Sequence, residues 1–403
     1  MTPDAVANLV AWISKAGLAA TDETEFLAAL CRQARATGLR LNRAIVFLDT
    51  LHPIYEGRAF RWDETNGATA PSDYGRTEGE SLERWRQSAF FHMLETGQTL
   101  LRVPITKENL ARFPTAGSMA SEAVTEYVAC VTRFGAADVI GGLDCVYSSW
   151  ATTTPGGFTA SEVTAIARLL PPFAMVLKSR GLTRVARTLV ETYLGRDAGR
   201  RVLEGSIVRG AVERISTALW MSDLREFTRI SEAARPDELI PFLDDHADAV
   251  IAAIHEAGGD VLKLIGDGTL AIFSAASQAD ACRAALGAAE RAIGEVAALG
   301  QRRAAEGLPH TSLYLGLHVG DVFFGNIGSH DRLDFTVIGP AVNEVSRIAA
   351  MCHSLDQRLL ISSAFADGMG EGAERLVSVG RYALRGVGGA QHLFTLDPVG
   401  RAW

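Results

Sequence analysis

Two short apolar runs flank the tripeptide Gly266-Asp267-Gly268 in the second half of the chain. Apolar runs joined by glycine and aspartate are typical of a β-hairpin, because glycine accepts a positive φ and aspartate tolerates it. The pattern therefore predicts two strands within Val261–Phe273. Lys263 lies four residues before Asp267, so this hairpin carries one cation and one carboxylate near a single turn.

The first 180 residues alternate between amphipathic helices and short apolar strands. Helical spacing of apolar residues predicts helices over Ala5–Ala16 and Thr24–Thr37, each followed directly by a glycine, which commonly ends a helix. The segment Asp63–Glu80 is rich in Gly, Thr, Ser and Asp and predicts a surface loop. The other predicted features are an N-cap at Thr21 or Asp22, strands over Arg43–Leu48, Arg58–Trp62, Val124–Thr132 and Ile140–Ser149, a turn over Phe134–Ala137, and helices over Gln87–Leu94 and from Glu162 onward.

The order of helix, strands, loop, strands and helix predicts an α+β domain over residues 1–180. In pattern and position this domain resembles a GAF-type sensory domain, with a PAS-like domain as the alternative. The resemblance implies a regulatory role and a small-molecule ligand, which the sequence does not identify. His52, His92, Trp62 and Trp85 are more typical of core or surface positions than of a ligand site.

Residues 181–212 are predicted to form a helical linker between the two halves. The helix that begins in the first domain should continue past the proline pair at Pro171, with a kink or a restart there. Leu182, Val185 and Leu189 approximate a heptad seam. Two heptads support a coiled coil no better than an ordinary helix packed on its own domain, but the position favours a dimerising signal helix.

Strands and helices also alternate over residues 213–403, and several of the strand pairs are predicted hairpins. This arrangement favours an α+β sandwich with a mixed sheet over a doubly wound sheet. The predicted elements are strands over Ser216–Met221, Thr311–His318, Leu359–Ser362 and Gln391–Leu396, a glycine-punctuated strand pair over Gly320–Gly328, helices from Pro236 to about Glu256 and over Ser277–Ala298, and a further helix that follows the segment Asp334–Pro340.

Two further patterns place polar side chains at element ends or on one helix face. Asp223 follows the first of these strands, a common position for a functional ligand. Taken alone, however, a cap of the next helix by Ser222 or Asp223 is the favoured interpretation. Asn343 and Arg347 are four residues apart and share one face of a predicted helix.

Together these segments give the chain from about Val212 to Pro398 a clear resemblance to a class III nucleotidyl cyclase domain, the adenylate and guanylate cyclase family. The resemblance implies an α+β fold with a mixed sheet flanked by helices around a ferredoxin-like core. The N-terminal arrangement and the connector also resemble a group of bacterial adenylate cyclases. The segments that carry the resemblance are Leu219–Thr228, Gly259–Phe273, Leu315–Gly328 and Phe335–Arg347, with Leu194–Gly210 for the connector.

The resemblance implies a two-metal site. Asp223 and Asp267 match the metal-binding aspartates of the family, and the carbonyl of Leu224 matches the backbone metal ligand. The implied cofactors are two Mg²⁺ or Mn²⁺ ions per site, which favour the 3′-alkoxide and neutralise the leaving phosphates. Asn343 matches the asparagine that orients the ribose, and Arg347 matches the arginine that stabilises the transition state.

Lys263 and Thr336 match the pair that reads the purine edge. Lys263 can donate to adenine N1, and the Thr336 hydroxyl or a nearby carbonyl can accept from the 6-amino group, whereas guanine reverses that edge. We therefore expect ATP to be converted to cyclic AMP and pyrophosphate; the alternatives are a guanylate cyclase and a catalytically inactive cyclase-like signalling domain. Arg385, before Gly386, falls near a basic position that contacts the terminal phosphates in relatives. Glu226 occupies a place where many relatives carry glycine.

The resemblance also implies an oligomeric state. In the family, the metal aspartates and the helix bearing the asparagine and arginine come from different protomers of one site. This chain carries each set once, so a two-fold homodimer would build two equivalent shared sites.

The composition of the chain excludes several classes of partner and site. A formal net charge of −8 argues against nucleic acid or an anionic membrane as a partner. The five cysteines are scattered and lack a Cys-x-x-Cys pair, which argues for reduced thiols rather than a zinc site or a disulfide framework. No uninterrupted apolar run of about 18 residues and no N-terminal signal peptide are visible, so we expect a cytoplasmic protein without a membrane span.

Overall fold

The computed structural model describes residues 1–19, 22–135 and 140–397. Thr21, a predicted cap, and Ala136–Ala137, part of a predicted turn, lie outside the described residues. The chain divides into two compact units, Met1–Leu189 and Val190–Trp403. All five cysteines are buried and unpaired.

The first unit is built on a six-stranded antiparallel sheet with helices on both faces. Successive side chains along each strand point to opposite faces of the sheet, so they pack into two separate hydrophobic cores. One core lies beneath the two N-terminal helices and the long last helix, and the other lies beneath the short middle helices. The strands are β1 Arg43–Asp49, β2 Tyr55–Asp63, β3 Gly67–Gly75, β4 Leu100–Pro104, β5 Glu126–Arg133 and β6 Cys145–Thr152, in the order β3-β2-β1-β6-β5-β4; the helices are α1 Pro3–Ala19, α2 Glu23–Ala36, α3 Gly79–Arg86, α4 Ala89–Thr96, α5 Lys107–Arg112, α6 Gly117–Ser121 and α7 Ala160–Leu194, which ends beyond this unit.

The second unit contains a mixed sheet, as predicted: β10 pairs in parallel with β12, and the other pairs are antiparallel. One face packs against α10, α11 and α13, and the other packs against α12, α8 and the β10–β11 hairpin. The elements are α8 Arg196–Leu203, β7 Val212–Leu224, α9 Phe227–Ala233, α10 Pro236–Glu256, β8 Asp260–Ile265, β9 Gly268–Phe273, α11 Gln278–Ala305, β10 Leu313–Gly328, β11 Leu333–Ile338, α12 Pro340–Leu355, β12 Leu359–Ser362, α13 Ser363–Met369, β13 Leu376–Ala383 and β14 Ala390–Leu396, with the order β13-β14-β12-β10-β7-β9-β8.

Two predictions for the first unit are wrong. The predicted loop Asp63–Glu80 contains β3, an exposed strand at the sheet edge that pairs with β2. Helix α1 does not end before Gly17 but continues through it to Ala19. The glycine allows close packing rather than a helix end, because a Cβ on Gly17 would lie 2.2 Å from the Val176 side chain. By contrast, Asp22 caps α2 as predicted, accepting hydrogen bonds from the amides of Thr24 and Glu25.

The predicted strand pair over Gly320–Gly328 is also wrong, because β10 is one continuous strand of 16 residues. Its glycines serve close approach rather than a turn. A Cβ on Gly325 would lie 2.2 Å from the carbonyl oxygen of Ala211 in the preceding segment. The glycine thus lets the connector pack against the strand.

Helix α7 continues through Pro171 and Pro172 as one helix, without the restart that was one of the two predicted outcomes. Among the described helices it is the one that is long and apolar enough to span a membrane, by length and composition only. A core helix meets the same criterion, and the side chains of Phe173 and Leu177 are buried in the core of the first unit. Val185 is buried as well, and Leu182 packs against the same core, which favours the ordinary helix over the coiled coil for this stretch.

Candidate active site

The hairpin of β8 and β9 has the two-residue turn that its sequence predicts. Ile265 pairs with Gly268, which leaves Gly266 and Asp267 as the loop. Gly266 has a φ of +64°, as the first loop position of a type II′ turn requires. A Cβ on Gly268 would lie 2.9 Å from the carbonyl oxygen of Ser222, so this glycine lets the turn approach the end of β7.

This approach brings two carboxylates together at the end of β7. The amide of Leu224 donates to Asp223 Oδ1 at 3.1 Å and to Asp267 Oδ2 at 3.2 Å. Loss of hydration, together with the hydrogen bond and charge of Asp267, raises the pKa of Asp223 to about 7. A bound cation would remove this repulsion between the carboxylates.

The donor set fits a hard divalent cation that keeps part of its shell for water and phosphate. No cluster of three or more His, Cys, Asp or Glu side chains is found among the residues described. Magnesium does not need one, because it usually binds one or two carboxylates and completes its shell with water and substrate phosphates. The N–H and C=O of a strand residue point to the same side. We therefore expect the carbonyl of Leu224 on the side of its amide, where the two carboxylates converge.

The alternative in which Ser222 or Asp223 caps the next helix is wrong. Helix α9 follows Glu226, which has no side-chain capping bond and lies in the left-handed region at φ 55°. Glycine reaches this region freely, whereas another residue loses roughly 1–2 kcal/mol there. The Glu226 carboxylate pairs with Arg229 at 2.6 Å.

Lys263 of β8 forms an ion pair with Asp334 of β11. Asp334 and Thr336 are two residues apart on one strand, so their side chains lie on the same face. The structure therefore brings Lys263 to the face that carries Thr336. Asp334 was not identified from the sequence. Its position two residues before Thr336, the spacing of residues on one face of a strand, was a signal that could have identified it.

Asn343 and Arg347 lie on one exposed face of α12. In the described ranges neither side chain has an intramolecular hydrogen-bond or ion-pair partner. Arg385 lies in the exposed turn between β13 and β14, and no hydrogen bond or ion pair among the described residues links it to the other candidates. One chain thus presents a carboxylate pair and, separately, a set of exposed groups suited to a nucleotide.

These features define the second unit as a nucleotide cyclase type of domain. The model of the family described as "Adenylate and Guanylate cyclase catalytic domain" matches residues 212–397, and this part of the chain belongs to that family. Comparison with curated proteins gives "Adenylate cyclase" from Anabaena cylindrica, 34% identical over 159 residues, which are 38% of this chain and 31% of that protein. "Adenylate cyclase 1" from Rhizobium meliloti (strain 1021) is 29% identical over 179 residues, 43% of this chain and 26% of that protein.

Similar solved structures include the adenylyl cyclase CyaB from P. aeruginosa, at 22% identity and a TM-score of 0.43, with 46% of this chain and 95% of that chain covered. The guanylyl cyclase Cya2 is 27% identical at a TM-score of 0.41, with coverage of 47% and 97%. The chain spans about a third or less of the length of the two curated relatives. The stretch that the family model matches, residues 212–397, lies within the second unit.

Proposed function

We propose that this protein is an adenylate cyclase that converts ATP to 3′,5′-cyclic AMP and pyrophosphate. The observation that carries the proposal is the pair Asp223 and Asp267, which converge on the amide of Leu224 within a domain of the cyclase family. The experiment is incubation of the purified chain with ATP or GTP and Mg²⁺ or Mn²⁺, with chromatographic separation of the products. If cyclic GMP is the main product, the protein is a guanylate cyclase. If neither cyclic AMP nor cyclic GMP forms, it is an inactive cyclase-like domain.

In the proposed reaction, the ribose 3′-oxygen loses its proton and forms a bond to the α-phosphorus, while the bond to the β-phosphate oxygen breaks. Two divalent ions, held by Asp223, Asp267 and the Leu224 carbonyl, would supply Lewis-acid stabilisation of these oxygens. Asn343 orients the ribose. Arg347 donates to the α-phosphate as negative charge develops there, and such electrostatic stabilisation is a large part of phosphoryl-transfer catalysis.

We assign purine selection to Lys263, Thr336 and the newly identified Asp334. The pair between Lys263 and Asp334 is exposed, and exposed pairs contribute little to stability. A purine can therefore displace Asp334 from the ammonium group at low cost. The free ammonium donates to adenine N1, and acceptors on the same face of β11 receive the 6-amino group.

Exchange of the purine-reading pair should move selectivity toward GTP. A glutamate at position 263 would face Asp334, so the variant Lys263→Glu/Thr336→Cys is made in an Asp334→Asn background. We expect the ratio of kcat/KM for ATP over GTP to fall at least ~100-fold, because mismatched buried polar groups discriminate strongly. Steady-state kinetics with both nucleotides measure this ratio. The control is Asp334→Asn alone, and an equal ratio in the two proteins would refute the assignment.

We propose a homodimer with two shared sites. Large apolar side chains are exposed beside the nucleotide-facing elements: Leu264 and Ile265 on β8, and the directly opposed pair Phe323 and Ile338 on β10 and β11. Exposed apolar surface of this kind commonly marks an interaction site. Two copies of the chain joined through these strands would bury it beside the exposed face of α12.

We further propose that the first unit regulates the cyclase as a GAF-like sensory domain, with a PAS-like domain as the alternative. Its six-stranded antiparallel sheet covered on both faces supports a separate sensory fold. The connector contacts the nucleotide-facing strands: Asn326 of β10 donates to the carbonyl of Ser206 at 2.7 Å, and Arg201 of α8 lies 5.0 Å from the ring centroid of Phe324. Movement of the connector would therefore disturb the strand that pairs with β11.

Removal of residues 1–189 should change the cyclase activity. We expect kcat or KM for ATP to change at least ~2-fold in one direction, since even a coupling near 1 kcal/mol alters an equilibrium about fivefold. Kinetics of both proteins at equal dimer concentration measure the effect. Identical kcat and KM in a folded, dimeric truncated protein would exclude the first unit from regulation.

A further inference from the structure

A cavity of about 700 Å³ lies in the first unit, between the sheet and helices α3, α4 and α6. Its volume is in the range of small-molecule sites, about 300–1,000 Å³. No residue assigned above to nucleotide binding or catalysis lines it. Exposed residues at its rim, including Arg84, Thr115 and Ser118, leave it accessible from solvent.

The floor of the cavity is the sheet face formed by alternate residues of β1 and its neighbours. Ile45, Phe47 and Asp49 follow one another along β1 on this face. The strand register places Arg61 of β2 opposite Ile45 and Tyr147 of β6 opposite Phe47. Along β1, the side chains of the floor are thus basic at Arg61, aromatic at Phe47 and Tyr147, and acidic at Asp49.

The middle of the cavity is aromatic. Trp85 and Tyr147 meet edge to face with ring centroids 5.3 Å apart, and Phe90 lies 5.5 Å from Tyr147 and 6.0 Å from Phe47. All four rings line the cavity. Aromatic rings prefer offset-stacked or edge-to-face neighbours, so this wall suits a flat aromatic group.

The acidic end carries an organised carboxylate. The hydroxyl of Tyr74 donates to Asp49 Oδ1 at 2.5 Å. Gly57 makes room for this hydroxyl, because a Cβ there would lie 2.1 Å from it. Glu56 also lines this end, and its Oε2 accepts from both the amide and the hydroxyl of Thr77 at 2.6 Å.

The negative charge of this end is not paired with a basic side chain in the part of the chain that the structure describes. Over the described residues, neither Asp49 nor Glu56 forms an ion pair with a basic side chain. Burial raises the pKa of Asp49 to about 6, and the negative charges of Glu56 and Asp144 also raise this pKa. The hydrogen bond from Tyr74 acts in the opposite direction and lowers it. A cation from outside would therefore be stabilised here.

Two of the arginines that line the cavity, Arg43 and Arg61, do not neutralise this end. Arg61 lies opposite Ile45, four residues from Asp49 along β1, which is about 13 Å at the usual strand rise. Its Nη1 donates to Ser72 Oγ at 2.5 Å, and Arg43 pairs with Glu122. The positive charges of Arg43 and Arg61 are thus separated from the acidic end along the length of the cavity.

We propose that the first unit binds a flat aromatic molecule that carries a cationic, hydrogen-bond-donating nitrogen group, an amine or an amidine. Its ring lies among Phe47, Trp85, Phe90 and Tyr147, and its nitrogen donates to Asp49. The rings supply apolar contact, and the carboxylate selects the charge and sets the orientation of the ligand. This proposal can be tested independently of the proposed cyclase activity, because the test measures ligand binding rather than turnover.

The test compares two probes that share one ring and differ in charge, 5-amidinoindole and indole-5-carboxylate. Isothermal titration calorimetry on the full chain measures both dissociation constants. We expect the amidine to bind at least ~10-fold more tightly, because a charge-assisted hydrogen bond contributes enough for a tenfold change. Equal affinities, tighter binding of the carboxylate, or no binding of either probe would overturn the proposal.

Three variants locate the site. Asp49→Asn should weaken amidine binding at least ~10-fold. Asp73→Asn is the matched control, because Asp73 lies on the opposite face of the same sheet and pairs with Arg58. Ser72→Phe should block the cavity while leaving Asp49 in place. Thermal unfolding confirms that each variant folds, and unchanged binding in both folded Asp49→Asn and Ser72→Phe would place the probe elsewhere and refute the site.

Discussion

The Asp267→Asn variant is expected to lose at least ~1,000-fold in kcat, which corresponds to about 4 kcal/mol in the activation free energy. Asp267 and Asp223 converge on one backbone amide, and both would hold the ions that stabilise the 3′-oxygen and the leaving phosphates. Asparagine is well tolerated in tight hairpin turns, so the turn should persist while the anionic ligand is lost. Initial rates of cyclic AMP formation with Mg²⁺ and with Mn²⁺ measure the loss.

The matched control is Asp248→Asn, which removes an exposed aspartate from the surface of α10 in the same unit. It should retain the kcat of the unmodified protein. Both variants should unfold at temperatures close to that of the parent, since neither removes buried apolar surface. An Asp267→Asn protein that keeps more than ~10% of the parent rate would contradict a role for this carboxylate in the two-metal chemistry proposed here.

The hairpin of β8 and β9 was predictable from sequence because local chemistry determines it. Glycine at positions 266 and 268 meets two local requirements, a positive φ and close approach to Ser222. Such requirements leave a direct signal in the residue types. The strand β12 and the helix α10 were also predicted with the bounds observed, because their apolar patterns are strong and Pro236 marks a helix start.

The features that were missed depend on pairing across the sheet. Strand β3 is polar and exposed, so nothing in its own pattern marks it, and its partner β2 supplies the hydrogen bonds. The glycines of β10 looked like turn signals, although Gly325 serves contact with Ala211. The alternation with Thr336 marks Asp334 as a candidate, but its pairing with Lys263, 71 residues away in sequence, is seen only in the structure. Single-residue signals do not encode these distances.

The Arg347→Ala variant is expected to lose ~100-fold or more in kcat, because removal of a pre-oriented donor to a developing anion costs about 2.7–4 kcal/mol. Arg347 is exposed on α12 and has no hydrogen-bond or ion-pair partner among the described residues, so its loss should not destabilise the fold. The KM for ATP should change much less than kcat, since the interaction forms mainly in the transition state. Steady-state kinetics separate the two parameters.

Arg302→Ala serves as the control, because Arg302 is an exposed arginine at the end of α11. It should leave both parameters unchanged. A rise in KM with unchanged kcat in the Arg347→Ala protein would indicate uniform substrate binding and would remove the transition-state role assigned to Arg347.

Mixing the two inactive proteins, Asp267→Ala and Arg347→Ala, should restore part of the activity. In a homodimer with shared sites, a heterodimer of these chains has one site that lacks both groups and one site that keeps both. With random exchange, half of the dimers are heterodimers with one intact site each, so about a quarter of the parent activity is expected. Differently tagged chains, purified by two affinity steps, confirm the heterodimer before its rate is measured. A purified heterodimer without activity would show that the aspartates and the arginine act within one protomer, and the exposed apolar strands beside α12 would then need another role.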